Sequence, residues 1–187
     1  MMLFVRQGFL AFGLSALLVS MVFGVAGAER SVPRLFIQGG VDVPARSVDE
    51  WGYDYAPNLS GQIEFPLAPK ASAVSILEYH DFPERSSRKE EDVIGMLAFR
   101  FRSARGEGLG HPYLNIGAGL CHADIRLFNR SYSSQPPESH YIELSTALAL
   151  GAGFEVRFAG ETAVCFEADL ERFSDAVVVP LRMGILF

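Results

Sequence analysis

The chain has 187 residues, a formal net charge of −6 and 20% charged residues. That acidic balance speaks against nucleic acid as a partner, since phosphate binding needs a basic patch. The sequence holds no Gly-rich phosphate loop and no Cys/His cluster with metal-ligand spacing, so it nominates no catalytic residue, no metal ligand and no cofactor.

Residues 1–28 have the pattern of a cleavable signal peptide. Arg6 supplies the positive n-region, Gly8 to Val25 is uncharged and largely apolar, and Ala26-Gly27-Ala28 offers the small residues a signal peptidase requires. A membrane anchor competes for the same stretch, because Gly8–Val25 is just long enough to span a bilayer. The small-residue site and the polar Glu29-Arg30-Ser31 behind it favour cleavage, and the lack of Cys there speaks against a lipid-anchored N-terminus. Cleavage leaves residues 29–187 as one domain. No stretch of 29–187 is long and apolar enough for a membrane helix, so a membrane crossing would have to be made by strands.

After residue 33 apolar residues recur with a period of two, which marks strands with two chemically different faces. The first predicted strand covers about 34–43. The second, about 59–67, sets Leu59, Gly61, Ile63, Phe65 and Leu67 against Ser60, Gln62 and Glu64. The third, about 72–81, alternates more weakly, with Leu77 and Tyr79 opposing Glu78 and His80. The fourth, about 92–102, places Val93, Leu97, Phe99 and Phe101 opposite Arg100 and Arg102. The fifth, about 112–122, puts Leu114, Ile116, Ala118 and Leu120 against Tyr113, Asn115, Gly117 and Gly119. The sixth has the longest pattern, Ile142 to Phe158 on one side against Glu143, Ser145, Gly151, Gly153, Glu155 and Arg157. The seventh sets Val164, Phe166, Ala168 and Leu170 against Cys165, Glu167, Asp169 and Glu171. The eighth runs to Phe187, with Val177, Val179, Leu181, Met183 and Ile185 on the aromatic's face and Arg182 and Gly184 between them. An even number of strands, each about 9–11 residues long, suits a small membrane barrel.

Alternation alone does not say which face is inside, and a soluble lipocalin-like barrel has the same period. The membrane version is favoured because the two lysines after residue 28, Lys70 and Lys89, both fall outside these strands. The polar face mixes Gly with Glu and Arg, as a narrow lumen would. The lumen charges are then Glu64, Glu78, Arg100, Arg102, Glu155, Arg157, Glu167, Asp169 and Arg182. Phe65, Phe101, Phe158 and Phe187 end the even strands as a periplasmic aromatic girdle. Outer loops are expected at about 44–58, 82–91, 123–141 and 173–176, with inner turns at about 68–71, 103–111 and 159–161. Pro180 inside the eighth strand calls for a bulge or a late start of the ladder.

Other chemistry-bearing residues are few. Cys121 and Cys165 fall on strands that are not neighbours, so two free thiols are expected. His80 faces the lumen beside Glu78, while His122 with Asp124 and His140 with Glu143 sit at loop edges, and His111 shapes a turn before Pro112. Trp51, Tyr53 and Tyr55 cluster around Asp54 in the first outer loop and suit contact with a protein or glycan ligand, or with lipid headgroups. The third outer loop, with Arg126, Arg130, Tyr132 and Gln135-Pro136-Pro137, is polar and turn-rich.

Pro112-Tyr113-Leu114-Asn115-Ile116-Gly117-Ala118-Gly119, Leu150-Gly151-Ala152-Gly153-Phe154 and the closing Pro180 to Phe187 resemble the small outer-membrane β-barrel superfamily, which includes the OmpA transmembrane domain, OmpX and the opacity proteins. The resemblance spreads over most of 33–187 and implies an all-β, eight-stranded, antiparallel up-and-down barrel in a Gram-negative outer membrane. It implies recognition of the C-terminal strand by the outer-membrane assembly machinery and contact with outer-membrane lipid or lipopolysaccharide; adhesion, host or phage contact and envelope integrity are all family roles, and the fold does not choose among them. Some barrels of this size modify lipid A. The deacylase type resembles a His-x-Ser-Asn pattern, and the nearest match here is Arg172-Phe173-Ser174-Asp175. Ser174 is kept, but Arg172 stands where the base should be and cannot accept a proton near neutral pH. The palmitoyl-transferase type carries an N-terminal amphipathic helix, for which Glu29–Pro33 is too short.

Overall fold

The computed structural model describes residues 32–45, 55–85, 88–103, 110–128, 139–158, 162–173 and 176–187. Eight strands form: β1 (Arg34–Pro44), β2 (Ala56–Ala68), β3 (Ala71–Arg85), β4 (Arg88–Arg102), β5 (Gly110–Leu127), β6 (Ser139–Arg157), β7 (Ala163–Phe173) and β8 (Ala176–Leu186). Each pairs antiparallel with the next, and β8 pairs with β1 to close the barrel. Reciprocal backbone bonds between Leu35 and Phe187, at 3.3 and 2.9 Å, continue that seam past the end of β8.

The strands stand where alternation places them, yet several are longer. β3 reaches Arg85 and β4 begins at Arg88, so most of the expected outer loop at 82–91 is ladder. β5 and β6 likewise stay paired up to Leu127 and Ser139. The cause lies in Asp81, Lys89, Glu91, Asp124 and Arg126, which face outward beyond the apolar belt. Charges there interrupt the hydrophobic alternation from which a strand is read, but they do not interrupt backbone pairing, because a solvated face has no need of apolar residues.

Sidedness is that of a barrel turned inside out. Leu59, Leu97, Phe99, Leu114, Ile116, Leu148, Leu150 and Met183 are exposed on the outside. Gln38, Asp42, Gln62, Glu64, Glu78, His80, Arg100 and Glu155 are buried inside. A soluble barrel with an apolar interior has the opposite arrangement. Phe101, Phe158 and Phe187 are exposed at the ends of β4, β6 and β8, Phe65 is partly covered, and Phe154 and Phe166 add further exposed rings.

The interior is not charged throughout. Val74, Ile76, Ile94, Met96, Cys121 and Ile125 form an apolar cluster on the β3–β5 wall, joined by Phe82 and Phe173 toward the outer end. Eight strands leave an interior just wide enough for side chains to fill, and these residues share that filling with the charges. Cys121 and Cys165 are both free and buried.

Pro180 does not produce a bulge. The β7–β8 register is the same on both sides of it, Ala168↔Leu181 and Glu171↔Val178, and only the intervening pairs are missing. On its other side Pro180 stays opposite Asp42 of β1. One lost donor is therefore tolerated as a gap in a single ladder.

The β1–β8 seam depends on close approach at Gly40, where a Cβ would stand 2.0 Å from the Leu181 carbonyl oxygen. Gly61, on β2, has open space around its Cα. Gly40→Val should cost about 3 kcal/mol through overpacking against immovable backbone and abolish heat-modifiable migration on a gel. Gly61→Ala should migrate like the parent protein.

Candidate functional site in the barrel lumen

Inward-pointing residues from all eight strands build three charged layers. At the end where β1 starts, Arg102 binds Glu64 through both terminal nitrogens, one at 2.6 Å, and reaches Ser72 at 3.1 Å and Glu155 at 3.4 Å. Arg34 also bonds Glu155 and lies 3.7 Å from Glu64. Arg157 donates Nε to Glu155 at 3.1 Å. A cavity of about 230 Å³ opens at this mouth, with Arg34, Arg102, His111 and Arg157 among its lining.

The middle layer turns on Arg100, which is fully buried. Its guanidinium donates to Gln62 Oε1 at 2.7 Å, Asn115 Oδ1 at 2.8 Å and Glu167 Oε2 at 2.9 Å, and stands 3.4 Å from Glu64. Tyr113 and Phe36 cover its two faces, with ring centroids 4.3 and 4.7 Å from the guanidinium carbon. Glu167 is further held by Tyr113 Oη at 2.8 Å and by the side-chain amides of Asn115 and Gln62, each at 3.0 Å. A buried ion pair persists only when its remaining lone pairs and protons are satisfied, and here the neutral amides do that work.

The third layer centres on Arg182. It donates to Glu171 Oε1 at 2.6 Å and Asp169 Oδ2 at 2.8 Å, with Glu78 at 3.1 Å and Glu167 at 3.6 Å. Above it His80 Nδ1 meets Asp42 Oδ2 at 2.6 Å, and Asp42 also accepts from Asn58 at 2.6 Å. His80 Nε2 points the other way, toward Glu78 Oε2 at 3.5 Å and Glu171 Oε2 at 3.8 Å. Phe82 and Phe173 pack on the imidazole, at centroid distances of 6.2 and 5.1 Å. Among the described residues, Glu78, His80 and Glu171 are the group whose geometry could hold a metal ion.

All nine charges expected in the lumen point inward, Arg157 being the most exposed of them at the mouth. The expected lumen charges do not include Asp42 and Glu171, and the neutral Gln38, Gln62 and Asn115 also complete the network; of these, Gln62, Asn115 and Glu171 stand on the predicted polar face. Their period-two positions carried the signal. Arg88, Glu90 and Asp92 also turn inward, within a segment expected to be mostly loop. Tyr55 is exposed just before β2, whereas Trp51 and Tyr53 lie outside the described residues, as do 1–31, most of the third outer loop and Ser174.

Outside the lumen, the extended strands carry an ion-paired rim. Lys89 lies 2.8 Å from Glu91 and 3.7 Å from Asp81. Arg126 reaches Asp124 at 3.2 Å and Glu91 at 3.6 Å. The hydrogen bond to Glu91 raises the Lys89 pKa, and that to Asp124 raises the Arg126 pKa. His140 pairs with Asp124, at 3.0 Å, and not with Glu143, because the β5–β6 register sets it directly opposite Arg126 and diagonal to Asp124.

Removing one partner of a buried pair leaves an uncompensated charge, so Arg100→Met should cost about 3–5 kcal/mol in unfolding from detergent micelles. Adding Glu167→Gln to that variant should recover part of the loss, and a double-mutant cycle should show favourable coupling between the two positions.

No protein-family model matches the chain, and no curated protein matches its sequence. Among solved structures it is similar to neisserial surface protein A, at 9% identity and a TM-score of 0.62 over 82% of this chain and 94% of that one. The N-terminal β-barrel domain of Pseudomonas aeruginosa OprF aligns at 16% identity and a TM-score of 0.52, over 82% and 96% of the two chains. Ail of Yersinia pestis aligns at 13% identity with a TM-score of 0.52, over 83% and 96%. At such identities the likeness is one of fold. With the closed eight-strand topology it gives this chain the fold of the small eight-stranded outer-membrane β-barrels.

Proposed function

We propose that the protein is exported by residues 1–28 and that residues 29–187 insert into a Gram-negative outer membrane as a sealed barrel with a structural or surface-contact role and no catalytic activity. The observation that carries this reading is the pairing of an apolar, aromatic-rimmed exterior with a lumen filled by bonded charges. An apolar exterior needs lipid, since a contiguous exposed belt of this kind is untenable in water. A lumen occupied by Arg100, Arg102, Arg182 and their carboxylates leaves no water-filled path.

Function then falls to the ends of the barrel, where loops vary while a rigid frame holds them. Trp51, Tyr53 and Tyr55 are the contact residues we assign for an extracellular ligand, because amphipathic rings give large contact area with a polar tip. Ail is an attachment invasion locus protein and the neisserial neighbour a surface protein; a comparable surface role is our reading for this chain. The cationic members of the outer rim, Lys89 and Arg126, suit the phosphates of lipopolysaccharide. The strand ending at Phe187 is the segment we assign to the assembly machinery. A lipid A deacylase is disfavoured because Arg172 stands in the place of the base and cannot accept a proton near neutral pH.

Replacing Trp51, Tyr53 and Tyr55 together by Ser should abolish cell or ligand adhesion while heat-modifiable folding survives; unchanged adhesion would leave the envelope-structural role. Planar bilayers containing the protein should show no steady conductance of porin size, and alkaline carbonate should not release it from membranes. Deleting the gene should leave the lipid A acyl pattern unaltered by mass spectrometry, and an altered pattern would restore the enzyme reading.

A further inference from the structure

We infer that Glu78, His80 and Glu171 form a binding site for one divalent transition-metal ion inside the barrel. The three side chains come from β3 and β7 and present one ligand atom each within 4.8 Å of one another. His80 Nε2, Glu78 Oε2 and Glu171 Oε2 are all buried; the first and last have no hydrogen-bond partner, and Glu78 Oε2 has an ion-pair contact with Arg182 at 3.1 Å. Two buried polar atoms without a hydrogen bond, converging with a third that only Arg182 faces, are costly unless something joins them. Tetrahedral zinc with bonds near 2 Å sets its ligand atoms about 3.3 Å apart. Nε2 already lies 3.5 and 3.8 Å from the two carboxylate oxygens, and side-chain movements that draw all three atoms in from within 4.8 Å of one another complete the fit.

The supporting groups suit a metal as well. A ligating imidazole commonly donates its other N–H to a carboxylate, which fixes the tautomer and raises its basicity. Asp42 stands in that position, 2.6 Å from Nδ1. Arg182 binds Glu171 through Oε1, leaving Oε2 free toward the site. Phe82 and Phe173 close the site on the outer side.

Charge balance gives an independent argument. In the two lower layers Arg34, Arg100, Arg102 and Arg157 outnumber Glu64, Glu155 and Glu167. The upper layer reverses this, with Arg182 facing Glu78, Asp169 and Glu171. Asp42 adds to that excess, and so does Asp92, which lies across the β3–β4 ladder from His80 with neither carboxylate oxygen hydrogen-bonded. Buried negative charge persists when it is paired or when it coordinates a metal. One imidazole and two carboxylates favour the borderline Zn²⁺, with the harder Mn²⁺ second, over Cu⁺, which prefers sulfur, and over Ca²⁺, which takes six to eight oxygens. Binding takes His80 as the neutral imidazole, with Nδ1–H donated to Asp42 and any Nε2 proton released to solvent.

The site is sealed, so the ion should enter during folding and leave slowly. The full-length protein folded in the presence of Zn²⁺ should retain one equivalent after exhaustive treatment with EDTA, measured by elemental analysis. X-ray absorption at the zinc edge should show one imidazole nitrogen with oxygen donors and no sulfur. His80→Gln and Glu171→Gln, confirmed folded by gel migration, should each lower retained zinc at least about tenfold, and Asp42→Asn should weaken binding about 10–100-fold. Failure of the wild-type protein to retain zinc, or manganese offered in its place, overturns the assignment and leaves a protonated His80 as the counter-ion. Full retention in both ligand variants, or a spectrum with thiolate or without imidazole, overturns it equally. Should the variants fail to fold, the wild-type spectrum decides alone.

Discussion

Closure of β8 onto β1 is the constraint on which the rest of the structure depends. In a hydrocarbon surrounding, every backbone N–H and C=O has to be paired within the protein, and a strand edge has no partner there. The ladder from Phe36↔Leu186 to Pro44↔Val178 removes the last edge. Glycine at 40 lets the two backbones meet, since any larger residue would strike the Leu181 carbonyl. With the ring closed, period-two alternation acquires an absolute meaning: one face sees the outside of the barrel and the other sees a sealed interior.

That sealed interior dictates the electrostatics. Charges enclosed in low dielectric are costly unless paired and hydrogen-bonded. Arg100 and Arg182 act as two hubs, each reaching side chains from several strands. The hubs share Glu167, at 2.9 Å from one and 3.6 Å from the other, so the middle and upper layers form one continuous network. Covering Arg100 with Phe36 and Tyr113 adds cation–π attraction where water is excluded. The same packing fills the middle of the lumen with bonded side chains.

Beyond the apolar belt the physics changes and so does the surface. β3 to β6 continue as a paired extension with Asp81, Lys89, Glu91, Asp124 and Arg126 on the outside. Asp124 is buried among these; the exposed pairs are worth little individually, and backbone pairing with neighbouring strands carries the extension.

The sequence by itself determined the strand count, the strand order and the face each residue takes. A period of two is enforced by backbone geometry, and a slip of one residue would turn Leu114, Ile116 and Leu120 inward and Asn115 out. The lumen charges were legible for that reason. The outer ends of β3 to β6 were not, because charges on both faces, buried inside at Glu90 and Asp92, erase the hydrophobic contrast while leaving the ladder intact. Pro180 was legible as a difficulty, but only the register showed that a gap in one ladder resolves it. Partners across the lumen were decided by tertiary structure alone. Asp42, His80 and Glu171 come from three strands, and barrel curvature and register bring Nδ1 to one carboxylate and Nε2 toward the other. Sequence spacing reports neighbours along a strand, whereas a closed barrel makes its chemistry between residues that face each other across the interior.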